Sequence, residues 1–212
     1  MQESAILTLL VARHGNTFGP SDVVRRVGCR TDLPLVSSGI DQARQLGIYL
    51  KAQQLVPSLI FTSTLKRTIQ TAEYAMQAMS IRCQTVSIEF LNEIDYGPDE
   101  NQPEDKVISR LGQAALSNWE LNNQVPPGWR VDVAKLQESW RSFGAQLATH
   151  HDGQMVLCVT SSGIARFSPV LTDDFDNFRS HHSLKLSTGA FSHFHHADNR
   201  WECVAWNVRP SP

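Results

Sequence analysis

The chain has no excess of charge: 19 Lys and Arg against 21 Asp and Glu leave a formal net charge of -2. Nucleic-acid binders neutralise many phosphates with a basic face, so no nucleic-acid partner is expected. Long hydrophobic runs are missing too. No stretch approaches the roughly 20 apolar residues that span a bilayer, and Met1 to Leu10 lacks the basic start and small-residue cleavage site of a signal peptide. No membrane partner is expected, and the location reads as cytoplasmic. Cysteine is sparse. Cys29, Cys83, Cys158 and Cys203 lie far apart, without the paired spacing of a structural zinc site or a redox dithiol, and read as reduced. Cys158 falls in the apolar run Met155 to Val159, where a thiol behaves as a small buried hydrophobe. Linkers, internal repeats and low-complexity tracts are absent as well, so residues 1–212 read as one domain.

What is present alternates. Residues 5–12 are almost continuously apolar and stop at a charged turn, the pattern of a strand covered on both faces. Ile40, Ala43, Leu46, Gly47 and Leu50 then recur at helical spacing, with Ser37 or Ser38 available as the N-cap. Strand and helix follow again at Ser58–Thr62 and Leu65–Met79. A third strand is predicted at Thr85–Phe90 and a fourth at Gln154–Thr160, with a helix starting soon after. This order predicts an α/β fold, a three-layer α/β/α sandwich around a mostly parallel central sheet. Residues 95–132, rich in Pro, Asn and Asp around a helix near Val107–Leu121, exceed a simple connection and read as a cap or lid. Phe191–Ala197 and Trp201–Val208, separated by Asp198-Asn199-Arg200, predict a closing hairpin.

Ligands of parallel α/β sheets sit at the carboxyl ends of the strands, and Arg13-His14-Gly15-Asn16-Thr17 follows the first one. There Arg13 can clamp phosphate oxygens, a neutral His14 can attack phosphorus, Gly15 permits close backbone approach, and Asn16 and Thr17 add uncharged donors. Alone, Arg-His-Gly is equally a polar trio where a strand surfaces. Its company decides. Ser63-Thr64-Leu65-Lys66-Arg67 opens a helix after the second strand, making Arg67 a second clamp beside free helix donors. After the third strand, Leu91-Asn92-Glu93-Ile94-Asp95-Tyr96-Gly97 brings a carboxylate to the same edge. Glu93 is the favoured general acid for a leaving oxygen, with Asp95, otherwise a turn residue, as its competitor.

In this order the motifs resemble the histidine phosphatase superfamily, which includes the cofactor-dependent phosphoglycerate mutases. The resemblance spans most of the chain: the Arg-His-Gly-Asn-Thr motif, Asp32–Leu35 through Ser38-Gly39 and Gln42-Ala43, Ser63–Ala72, and Leu91–Gly97. It implies a phosphoglycerate mutase-like fold, a phosphohistidine at His14, phosphoryl oxygens held by Arg13 and Arg67, proton donation by Glu93, and no metal or other cofactor. Such transfer rests on positioning and charge, which two arginines and a helix N-terminus can supply. One position departs. The family's second pocket histidine follows the strand matching Gln154–Thr160, where this chain has Ser161, a hydrogen-bond donor to phosphate without positive charge.

The expected function is thus a metal-independent phosphomonoester hydrolase acting on a small phosphorylated substrate, weakened by Ser161. Alternatives are a phosphate-ligand binding or regulatory protein with little turnover, and a mutase, which would also have to exclude water. His181 and His182 are candidate substitutes for the absent histidine. Arg25, Arg26 and Arg30 read as solvated or as contacts for a further anionic group. His193 and His195 share one strand face, better read as edge decoration than as metal ligands, and His150-His151 reads as a helix C-terminus. Asp99 and Glu100 are placed near the cap entrance without a chemical role.

Overall fold

The first strand, β1 (Leu7–Arg13), buries Leu7, Leu9 and Val11 on one face and Leu10 and Ala12 on the other, which is why its apolar run is unbroken. The computed structural model describes residues 6–211. After β1 come α1 (Ser37–Ala52), β2 (Leu59–Thr62), α2 (Lys66–Met79) and β3 (Gln84–Ser87). Helices α3 (Glu104–Leu111), α4 (Gln113–Asn122) and α5 (Val133–His150) precede β4 (Met155–Thr160). The short α6 (Ser162–Ala165), α7 (Phe175–His181), β5 (Phe191–Ala197) and β6 (Arg200–Val208) complete the chain.

The sheet order is β3-β2-β4-β1-β5-β6. Strands β3, β2, β4 and β1 run parallel, while β5 and β6 add antiparallel at the other side. Side-chain alternation sorts the layers. Leu10, Ala12, Ile60, Leu157 and Val159 meet Leu46 and Leu50 of α1 and Ala72, Ala75 and Met79 of α2. Leu7, Leu9, Val11, Val156 and Cys158 face Trp140, Phe143 and Leu147 of α5, and that same core continues into the cap through Leu116, Trp119 and Trp129. The three-layer, mostly parallel expectation holds. No helix among the described residues is long and apolar enough to cross a membrane.

Local readings are corrected in four places. The N-cap of α1 is Val36, without a side-chain cap, so both serines lie inside the helix. The single cap helix is two, because Gly112 adopts φ +77°, a left-handed conformation open to glycine that ends α3 and redirects the chain into α4. The third strand stops at Ser87, and Glu89–Leu91 turns in a 3-10 helix. Asp198 and Asn199 both have positive φ and alone make the hairpin turn, so β6 already begins at Arg200. His150 does occupy the last turn of α5, and buried Cys158 has its thiol pKa raised by burial.

Candidate active site

Parallel pairing aligns Arg13 with Thr160, and the His14 amide donates to the Thr160 carbonyl at 3.0 Å, fixing the end of β1 against the end of β4. The chain then passes the first turn of α1 backbone to backbone. A Cβ on Gly15 would lie 2.3 Å from the Gly39 carbonyl oxygen, and one on Gly39 would lie 2.1 Å from that of Asn16, so neither position accommodates a side chain. The Gly15 amide donates to Thr71 Oγ1 at 3.1 Å, and that of Asn16 to Gln42 Oε1 at 2.8 Å. These contacts tie the loop to α1 and α2.

His14 is 7% exposed, and its Nδ1 lies 2.8 Å from the Gly15 carbonyl oxygen. A carbonyl only accepts, so Nδ1 carries the proton and the neutral ring keeps its lone pair on Nε2. Burial, then the positive charges of Arg67 and Arg13, hold the imidazole pKa well below its usual value. The ring therefore stays a nucleophile into acid solution.

Glu93, also 7% exposed, receives the Ile94 amide on Oε1 at 2.9 Å and the Gly163 amide on Oε2 at 3.2 Å. Burial raises its pKa; those two amides and the charges of Arg67 and Arg13 oppose this without cancelling it. A Cβ on Gly163 would sit 2.1 Å from Glu93 Oε1, so the close approach of this turn depends on glycine. Asp95 faces elsewhere. Its Oδ1 accepts from Arg30 at 3.0 Å and from the Gly97 amide at 2.8 Å, the turn role foreseen as its alternative.

Arg13, His14, Asn16, Thr17 and Glu93 line one cleft of about 540 Å³. Arg67 and Ser161, expected to touch phosphate, do not line it: both are fully buried in its surroundings. Arg67 donates from Nη1 to the Thr31 carbonyl (2.8 Å) and from Nη2 to that of Gly28 (3.2 Å), so both terminal nitrogens are engaged by the loop after β1. The Nε atoms of Arg13 and Arg67 and Oγ of Ser161 have no protein partner. Of these residues only Arg13 lines the cleft, where an anion would supply the missing partner.

His181 and His182 do not replace the missing histidine. They line a separate depression with Phe178 and Trp206, where His182 stacks on Phe178 at 4.5 Å, because α7 docks beside the β5–β6 hairpin. The chain returns to the cleft only at Lys185 and Thr188. In the basic cluster Arg25 and Arg30 are exposed, as the solvated reading has them, and Arg26 alone is half-buried. Arg26 pairs with Glu104 and lies 5.3 and 5.4 Å over the Tyr96 and Trp129 rings, while Arg25 donates to the Asn101 carbonyl. Both fasten the loop to the cap and line the cleft. Among the described residues no His, Cys, Asp and Glu side chains gather into a metal-ligand cluster.

Sequence reasoning missed Arg166, Trp119, Tyr96 and Lys185, all on the cleft wall. Tyr96 was within a quoted motif but given no role. Nothing in the local pattern marks Arg166, whose guanidinium is reached only through the turn of α6.

A family model for the histidine phosphatase superfamily (branch 1) matches residues 9–209. A 2,3-bisphosphoglycerate-dependent phosphoglycerate mutase of Methylorubrum populi is 32% identical over 120 residues, 56% of each chain, so the match spans little more than half of that relative. The phosphatase PhoE of Bacillus subtilis is 24% identical over 198 residues, 93% of each chain. In structure, a phosphoglycerate mutase from Bacillus anthracis superposes with a TM-score of 0.79 at 19% identity, covering 98% of this chain and 95% of the other.

Proposed function

The chain belongs to the histidine phosphatase superfamily, and from that premise we propose that it is a metal-independent phosphomonoester hydrolase working through a phosphohistidine at His14. The observation that carries this reading is one cleft holding a neutral histidine with Nε2 free beside a carboxyl whose pKa is raised. Nε2 attacks phosphorus, the bond from phosphorus to the leaving oxygen breaks, and the Glu93 proton passes to that oxygen. Water then attacks the phosphohistidine, Glu93 takes its proton, and the P–N bond breaks to release phosphate and restore His14. Arg13 and Arg67 supply the positive charge near the phosphoryl group. The substrate is a small phosphorylated molecule.

A second reading rests on Ser161, which is buried, off the cleft and uncharged where the family has a histidine. Loss of one charge-assisted contact costs on the order of 10²-fold in rate, and phosphate recognition with little turnover would then remain. A mutase reading draws on relatives matched over little more than half their length. Phosphate release from a panel of phosphomonoesters, in chelator, separates these readings by comparing wild type with folded His14→Ala. Turnover by wild type alone is expected. Equal background in both proteins would favour the binding protein.

A further inference from the structure

Arg166 ends α6 with 3% of its surface exposed, yet lines the cleft. Burying a guanidinium costs several kcal/mol unless polar partners offset it, and here they come from one element. Nη2 donates to the Trp119 carbonyl at 2.8 Å and the Glu120 carbonyl at 2.9 Å. Nη1 lies 3.6 Å from Glu120 Oε2, and the guanidinium stands 4.4 Å over the Trp119 ring. These groups belong to the last turn of α4, where the dipole favours a cation, and Arg166 shares the Trp119 carbonyl with the Asn123 amide.

The same few residues hold the acid. The Gly163 amide bonds Glu93, Thr160 Oγ1 donates to the Leu91 carbonyl at 2.6 Å, and Trp140 Nε1 donates to that of Ile164 at 2.9 Å. The stretch from Thr160 to Arg166 thus grips the Glu93 segment at one end and the cap at the other. We propose that Arg166 is a positioning residue that couples α4, and with it Trp119 on the cleft wall, to the carboxyl of Glu93. The inference rests on the reading of Glu93 as proton donor. A leaving group seated against Trp119 then meets a carboxyl whose position is set by the same contact, and a loosened Arg166 harms most the substrates that need the proton.

The test compares kcat/KM for glycerol phosphate, whose alkoxide must be protonated, with that for p-nitrophenyl phosphate, whose phenolate leaves without help. Arg166→Lys keeps the charge but not the forked geometry, and is expected to lose about tenfold or more on the first substrate and under about threefold on the second. Glu120→Gln retains the carbonyl bonds and the fold, and should shift the same ratio by about two- to threefold. Equal losses on both substrates would reduce Arg166 to a structural role and overturn the coupling. Should wild type release phosphate from no member of the phosphomonoester panel, the phosphatase reading fails while hydrogen exchange still tests the coupling. In Arg166→Lys, or in Glu120→Gln if the former does not fold, amides of α4 and of residues 162–164 are expected to exchange faster together. Faster exchange of α4 alone would overturn it.

Discussion

Burial shifts His14 and Glu93 in opposite directions, and the shifts favour the same chemistry. A buried imidazole resists taking a proton and a buried carboxyl resists losing one, so neutral His14 and protonated Glu93 coexist where free side chains would not. Activity should fall at low pH as His14 gains its proton and at high pH as Glu93 loses its own. With the histidine pKa held low, the optimum is expected on the acidic side of neutrality. A pH profile of kcat/KM checks this, and Glu93→Gln should remove the alkaline limb with a loss of about 10²–10⁴-fold. Gly163→Ala is expected to displace the carboxyl and lower kcat by about 10²-fold, read against the circular dichroism of the folded variant. That Arg13, His14 and Glu93 share one cleft was legible because Arg13 ends β1, His14 follows it and Glu93 lies in the connection after β3. Arg67 and Ser161 were assigned to phosphate by position, but position does not reveal that Arg67 is drawn toward the carbonyls of Gly28 and Thr31.

Among the elements, the cap is held by buried polar contacts that its sequence does not announce. Asp99, 2% exposed, accepts from Arg110 Nε at 2.6 Å, from Arg110 Nη2, and from Trp129 Nε1 at 2.7 Å, joining α3 to the segment before α5. Burial alone would raise the Asp99 pKa, but these bonds outweigh it and hold the carboxyl below its usual value. Glu100 meanwhile accepts from the Gly28 and Arg30 amides at 3.1 and 3.0 Å and from Thr31 Oγ1 at 2.8 Å, fastening the basic loop beneath the cap. Two acidic residues given no role thus hold the cap. Asp99→Ala leaves the exposed Arg110 guanidinium to water but strands the buried Trp129 indole N–H, so a loss of about 1–3 kcal/mol is expected, measured as a lower Tm. Because its folded pKa is depressed, Asp99 contributes its stability above the unfolded pKa, and that contribution is lost as pH falls through the folded value. Wild-type Tm should therefore drop more steeply with acid than that of Asp99→Ala.

At the scale of the whole molecule, the sheet makes two demands on sequence that differ in legibility. The parallel strands β1 and β4 are covered on both faces, so their apolar runs show plainly in the chain. The exposed edge strand β3 and the β5–β6 hairpin carry polar and aromatic residues whose ends are set by turns; the limits of β3 and the start of β6 moved, while β5 spans Phe191–Ala197 as read. Strand order is different again: β4 lies between β1 and β2 although it comes far later in sequence, and only the folded sheet shows that this brings Ser161–Arg166 between the His14 loop and the Glu93 segment. The site is consequently built on the central pair, with the connections after β1 and β3 beside it. Local opening follows burial and pairing, so amides of β1 and β4 should exchange slowest, near the rate set by global unfolding, while those of β3, paired on one side only, exchange faster. Hydrogen exchange resolved by segment measures this. Protection of β1 no greater than that of β3 would mean that the edge, and not the β1–β4 pair, is the rigid frame against which His14 and Glu93 are held.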